Sequence, residues 1–336
     1  MMRNATNLSS TPLIRLAHPQ AFAAFLQEIG TPTDRLFQRQ GLPVYCDDPA
    51  AFVPLRRAWA LFDAAAQLED PMLGWHVGRF CGEKSLNAGL LKQVENAPTL
   101  YQALKELVGL ISSEASHLRL GIQERRDDIL FYTHYPEIKE WPGYTSSQAY
   151  QLEVYLVVIR HYLGSIWVPD EIGIEYPRAP AVVQEHFPAS RVLTNQRMGY
   201  LSVPRSCLHR APPRGNPNDG GEDFVVLTRK FDHVDRVRAL LHAYMADGYP
   251  SAQKMASLTD TSTRTLARRV SDSGLTYQAV VDEVRFNRAK ELLQHTGERI
   301  TDVAGAVGFD DPAHFARMFR RIGGITPREF RRAAEG

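Results

Sequence analysis

The sequence predicts an α+β N-terminal domain followed by an all-α C-terminal domain in which a long helix joins two helix-turn-helix subdomains. Three observations carry this. Helical and strand-like apolar spacings are mixed up to about residue 208. A stretch rich in Pro, Gly, Asn and Asp, "HRAPPRGNPNDGGED" (His209–Asp223), then interrupts both patterns. Beyond it only the helical period remains, in short segments that begin at capping residues. The domains are therefore drawn at residues 1–208 and 233–336 with a linker at 209–232, and the helix pairs at about 251–273 and 301–322.

In chain order, "AFAAFLQEIG" places Phe22, Phe25, Leu26 and Ile29 on one helical stripe and stops at Gly30. "TLYQALKELVGLISSEA" does the same with Tyr101, Leu104, Val108 and Ile111, and Thr99 is its expected cap. "LRLGIQ" and "ILFYTHY" flank the turn "ERRDD" as a strand pair, and "DEIGIEYP" and "GYLSVP" are further strands. "YQLEVYLVVIRHYLGSIWV" is the most apolar run, yet Glu153, Arg160 and His161 interrupt it, so it reads as a buried element and not a membrane span. In the last hundred residues Val234, Val237, Leu240, Leu241 and Tyr244 form a stripe. Six more helices follow: 251–258, 262–273, 276–296, 301–307, 311–322 and 327–331.

Composition excludes some classes. Cys46, Cys81 and Cys207 are odd in number and far apart, which fits a reducing cytosol and argues against a disulfide framework or zinc site. "MMRNATNLSSTPLIRL" lacks an apolar core of signal-peptide length. The expected location is cytoplasmic and nucleoid-associated, with no membrane partner. Net charge is +1, but Val234–Gly336 carries 16 Lys/Arg against 13 Asp/Glu, a mild bias toward an anionic partner.

The charges matter more by placement. Ser251 and Ser262 are N-caps on either side of the turn Thr259–Thr261, and Ala256 is small enough for a close crossing. On the second helix Leu266 and Val270 face inward, while Thr263, Arg264, Ala267 and Arg268 face outward. The layout recurs downstream. Thr301 is the expected cap of a helix with Ala304, Gly305 and Ala306 at its crossing, and Gly308 makes the turn. Asp311 caps the next helix with Pro312 at its first position. There Phe315, Phe319 and Ile322 are expected inside, and Ala313, His314 and Arg317 outside, with Arg320 and Arg321 one turn on. Arginine can fork onto guanine in a major groove, and capped helix N-termini favour phosphate. The intervening helix, at about 31 Å for 21 residues, approaches the roughly 34 Å repeat of successive major grooves.

These residues resemble the DNA-binding module of the AraC/XylS transcription regulators. The resemblance rests on T-L-x-R-x-x-x-x-x-G, R-x-x-x-A-K-x-L-L and G-F-x-D-P-x-H-F-x-R-x-F-R-R-x-x-G-x-x-P-x-x-F-R, and covers Val234–Arg332. It implies base readout by Arg264, Ala267 and Arg268 and by Ala313, His314 and Arg317. The first turn, "LTDT", departs from the family's frequent glycine. More loosely, "GLPVYCDDPAAFVPLRRAWALFDAAAQLEDPMLGWHVGR" and "NAPTLYQALKELVGLISS" are similar to the ligand-binding domain of a subset of these regulators, of the arabinose-binding type. That implies a sensor for a small-molecule effector, a surface for homodimer formation, and, as for an activator, contact with RNA polymerase. No cofactor or metal is implied.

Blander roles stand beside these. Each exposed arginine can be a solvated face, His314 can cap its own helix, and Arg320 and Arg321 can contact phosphate or only water. Phe315 and Phe319 are core. Tyr132, His134 and Tyr135 are better explained by a half-buried strand than by a pocket, and Trp141 and Tyr144 by packing. An alternative function is an N-terminal enzymatic domain fused to a DNA- or protein-docking helical module. No G-x-S-x-G, phosphate loop or H-E-x-x-H stands in the sequence, and the cysteines cannot build the metal site of a DNA-repair methyl acceptor.

Overall fold

The structure is a computed structural model that describes residues 11–44, 46, 48, 51–82, 88–177, 181–212, 232–245 and 248–334. Most of the expected linker, 213–231, lies outside the described residues. The chain divides into two compact units, one holding Pro12–Leu42 and Leu55–Lys230, the other Thr11, Pro43–Pro54 and Phe231–Gly336.

The first unit opens with β1 (Leu13–Arg15), α1 (Ala17–Glu28) and α2 (Asp34–Gln40). The chain then contributes β2 (Phe52–Pro54) to the second unit. It returns as α3 (Leu55–Leu68), α4 (Leu73–Cys81), α5 (Ala88–Glu95) and α6 (Leu100–Leu110). The hairpin β3 (Arg119–Glu124) and β4 (Asp128–His134) follows, then α7 (Tyr144–Leu163). After it come β5 (Glu171–Gly173), α8 (Ala181–His186), β6 (Arg191–Leu193) and β7 (Gly199–Pro204). One sheet runs β3-β4-β7-β5-β6, antiparallel except for the parallel β5–β6 pair.

The apolar run read as a buried element is α7, which is buried on nearly every face. Its one acid among the apolar residues, Glu153, meets His186 Nε2 at 3.0 Å. Helix α4 crosses it closely because Gly74 has no side chain: a Cβ there would stand 2.1 Å from the Ser146 carbonyl oxygen. Thr99 does cap α6, accepting from the Gln102 N–H at 3.3 Å. The buried face of that helix is Leu100, Ala103, Leu104, Leu107 and Leu110, so the expected stripe was rotated toward its edge. On α1, Phe22 and Leu26 are buried while Ile29 is exposed past the helix end.

In the second unit Phe52 and Val53 are buried, and Asp48 pairs with His242 at 2.8 Å. His242 lies on α9 (His233–Tyr244), whose five expected stripe residues are all buried. The remaining helices are α10 (Ala252–Leu258), α11 (Thr263–Ser271), α12 (Tyr277–His295), α13 (Ile300–Ala306), α14 (Pro312–Gly323) and α15 (Pro327–Ala334). Two expectations fail here. The N-cap position of α13 is Arg299, with no side-chain cap, and Thr301 sits inside the first turn. Ile322 is exposed, and Met318 takes the inward place beside Phe315 and Phe319, because the last turn of α14 runs past the core. Of the three small residues on α13 only Ala304 is buried.

Candidate nucleic-acid interface

Each helix pair is built from local chemistry. The Ser251 hydroxyl accepts from the Lys254 N–H at 3.2 Å and starts α10. After the turn, Ser262 accepts from Thr265 N–H at 3.1 Å and starts α11. The turn reverses at Asp260, whose φ of +48° is left-handed. Asp tolerates that region better than most residues with a Cβ. At the matching place in the second pair stands Gly308, φ +79°. A Cβ there would meet Tyr249 at 3.2 Å and Arg285 at 3.3 Å. Gly308→Ala is expected to lower stability by about 1–2 kcal/mol, from the left-handed backbone alone. A shifted urea midpoint followed by circular dichroism checks this.

Leu266 and Val270 are buried, and Thr263, Arg264, Ala267 and Arg268 are exposed, as their spacing requires. Among the described residues neither Arg264 nor Arg268 has an ion-pair partner. On α14 the Asp311 carboxylate accepts from the backbone N–H groups of Ala313, at 2.9 Å, and His314, at 3.2 Å. His314 therefore does not cap its helix with its imidazole, which instead stands edge-on to Phe309 at 5.4 Å. Ala313, His314, Arg317, Arg320 and Arg321 are all exposed. They are not equally free. Arg321 is drawn onto Asp282 of α12, and Arg317 lies 3.8 Å from Asp311.

The 19-residue helix α12 is the shared support. Thr276 caps it, accepting from Ala279 N–H at 3.1 Å, and it ends at Thr296. Its length is about 28 Å at 1.5 Å per residue. Between α12 and α14 lies a groove of about 450 Å³, with Gln278, Asp282 and Arg285 on one wall and His314, Arg317 and Arg321 on the other. Arg285 was not singled out from the sequence. Its guanidinium sits 4.5 Å from the Tyr249 ring centroid and 4.6 Å from that of Phe309. It thus joins the segment leading into the first helix pair to the turn of the second. The sequence signal was its position among the buried residues Val281, Val284 and Ala289.

Among the described residues there is no group of three His, Cys, Asp or Glu able to hold a metal ion, and no helix long and apolar enough to cross a membrane. Tyr144 packs on Trp59 and donates to Glu175, which His134 also meets at 3.1 Å.

Comparison with known proteins places the chain among gene regulators. Residues 30–211 match the family model described as the N-terminal arabinose-binding domain of AraC transcription regulators. Residues 255–333 match a helix-turn-helix domain model. The chain is 34% identical over 291 residues to the HTH-type transcriptional regulator VqsM of Pseudomonas aeruginosa, covering 78% of this chain and 88% of that protein. It is 39% identical over 171 residues to the ornithine utilization regulator of the same species, covering 48% of this chain and spanning only half of that protein's length. Among solved structures, the transcriptional regulator CdpR from Pseudomonas aeruginosa aligns over 93% of this chain and 97% of that one, with a TM-score of 0.43 and 18% identity.

Proposed function

Because this chain belongs to the AraC family of transcription regulators, we propose that it is a sequence-specific DNA-binding regulator that places α11 and α14 in consecutive major grooves. The observation that carries this reading is the pair of capped helices with exposed arginine faces, held by one rod of about 28 Å. Arg264, Arg268 and Arg317 read base edges, with Thr263, Ala267, Ala313 and His314 beside them, and Arg320 contacts phosphate. Arg321 reaches phosphate only by leaving Asp282. The enzymatic alternative is not favoured, since the N-terminal unit matches the arabinose-binding domain of AraC transcription regulators and the C-terminal unit a helix-turn-helix domain.

The N-terminal unit senses a small-molecule effector that shifts the population of a DNA-competent state, which requires different affinities for the two states. Homodimerisation, contact with RNA polymerase and a cytoplasmic, nucleoid-associated location belong to the same proposal. No cofactor takes part.

The test is selection from a random duplex pool by the full-length chain at physiological salt. Two enriched blocks about one helical turn, ~10 base pairs, apart are expected. Binding without any enriched motif would overturn the reading. On the selected site, Arg268→Ala and Arg317→Ala are each expected to cost about 1–3 kcal/mol and to relax preference at one position. A loss that is equal on all duplexes would make that residue a phosphate contact.

A further inference from the structure

The first unit holds a small cavity lined by Ile14, Ile111 and Val154, with Glu114 and Tyr135 among its polar groups. It leaves room of about 20 Å³ for the centres of water-sized groups, enough for roughly one water. A neighbouring pocket of about 120 Å³ is bounded by His117, Arg119, Pro136 and Glu137. Leu118 and Tyr135 line both, so these two side chains are the wall between them. Arg119 and Glu137 are exposed, which makes the second pocket the surface-facing one.

Tyr135 is the unexplained group. It is 1% exposed, and among the described residues its hydroxyl meets no group at full hydrogen-bond geometry, Gln151 being a polar neighbour. The Gln151 side chain accepts from Thr133 at 2.8 Å and donates to Ser147 at 3.2 Å, so its better-aligned bonds go elsewhere. A buried hydroxyl left unmet costs stability, so its retention asks for a use. Burial holds the phenol far above its ordinary range, so it keeps its proton and is a donor. The charges define the complement. Glu114 is already met by Arg15 and His18, each at 3.0 Å, and no lysine or arginine lines the inner cavity. The surface-facing pocket sets one Arg119 against one Glu137. The inner cavity therefore offers an anion no lysine or arginine and a cation no carboxylate beyond the one already met, and the outer pocket carries one charge of each sign.

We propose that the two spaces form one effector site, and that its ligand is a neutral, mostly apolar molecule with one hydrogen-bond-accepting oxygen that receives the Tyr135 hydroxyl. The surface-facing pocket takes the apolar body. The accepting oxygen passes the Leu118–Tyr135 wall into the inner cavity. As it stands the wall is shut, so binding selects a conformation in which it has opened. The backbone beside it is poised to change: His117 has φ +72°, a left-handed strain on a residue with a Cβ. This rests on the reading of the N-terminal unit as a sensor.

The test uses full-length protein and two ring-matched probes, cyclohexanone and cyclohexanecarboxylate, titrated by saturation-transfer NMR against wild type and Tyr135→Phe. Cyclohexanone is expected to bind wild type and to bind Tyr135→Phe about tenfold more weakly, the loss of one buried hydrogen bond. The carboxylate is expected to bind wild type at least tenfold more weakly than the ketone. Tyr135→Phe should melt at the same temperature as wild type or higher, because an unmet hydroxyl is gone; a purely structural tyrosine would lower it. Equal ketone binding to the two proteins, tighter carboxylate binding, or no ketone binding to wild type would each overturn the proposal. Affinity for the selected DNA site, measured on the same samples without probe, separates the two readings. Intact DNA binding with any overturning result sinks only the ligand assignment, and lost DNA binding in wild type sinks the regulator reading.

Discussion

Phe319→Ala is expected to remove about 3–5 kcal/mol from the second unit, the usual cost of emptying a large, closed aromatic site. Phe319 is fully buried. Its ring meets Phe286 at 4.7 Å, Phe315 at 5.8 Å and Phe330 at 5.6 Å. Those three rings come from α12, α14 and α15, so one side chain ties these three helices into a single core with Ala289, Leu293, Val303 and Val307. A cavity there cannot collapse easily, since three helices would have to move together. The distribution of tryptophan makes the result specific. Trp59, Trp75, Trp141 and Trp167 all lie in the first unit. The variant should therefore unfold at lower urea by circular dichroism, while the tryptophan fluorescence transition stays in place. DNA affinity should fall with the dichroism transition, on every sequence alike, unlike the position-specific loss from Arg317→Ala. A change below about 1 kcal/mol would mean that α14 does not depend on this core.

Of that core Phe315 and Phe319 were readable in advance, and it is instructive which neighbouring features were not. Ser251, Ser262, Thr276 and Asp311 announce their helices because a cap is a local device: the side-chain oxygen serves an N–H two or three residues on. The outward face of α11 follows from Leu266 and Val270 by elimination. Arg299 precedes α13 without any side-chain cap, so nothing local marked that start, and the nearest hydroxyl, Thr301, was chosen wrongly. Helix α7 was read as buried, but its helical type was not legible, for a different reason. It is buried all round and so has no amphipathic period to read. Contacts distant in sequence were invisible altogether. Asp48 meets His242 across 194 positions, and the strand Phe52–Pro54 packs with the second unit although it lies deep in the first half of the chain. The exposed faces of α11 and α14 were mostly legible because exposure follows from periodicity. What the sequence hid there was commitment: Arg321 is held by Asp282 and Arg285 by two rings, while Arg264 and Arg268 stand free of ion pairs among the described residues.

The first unit has its own decisive site, and Glu114→Ala is expected to cost it about 3–5 kcal/mol. Glu114 is 1% exposed. Its carboxylate accepts from Arg15 Nη1 at 3.0 and 3.2 Å and from His18 Nε2 at 3.0 Å. The other imidazole nitrogen, Nδ1, lies 2.9 Å from the Tyr150 hydroxyl oxygen. Deleting the carboxylate takes the Glu114 counter-charge away from a buried arginine, itself 5% exposed, and that change in charge compensation dominates the loss. The double variant Arg15→Met, Glu114→Leu removes both charges at similar volume and should recover most of it. Acid separates charge from packing. Burial alone would raise the Glu114 carboxyl, but the hydrogen bond and charge of His18, then those of Arg15, outweigh it and hold it below its ordinary 4.5. A depressed folded-state carboxyl contributes stability that is complete above the unfolded value of about 4.5 and is lost as pH falls through the lower folded value. Urea midpoints from tryptophan fluorescence should accordingly drop below about pH 4.5 in wild type, with a shallower drop in the double variant. A double variant no more stable than Glu114→Ala, or an acid limb of unchanged depth, would show that the site is held by packing and that its charges contribute little.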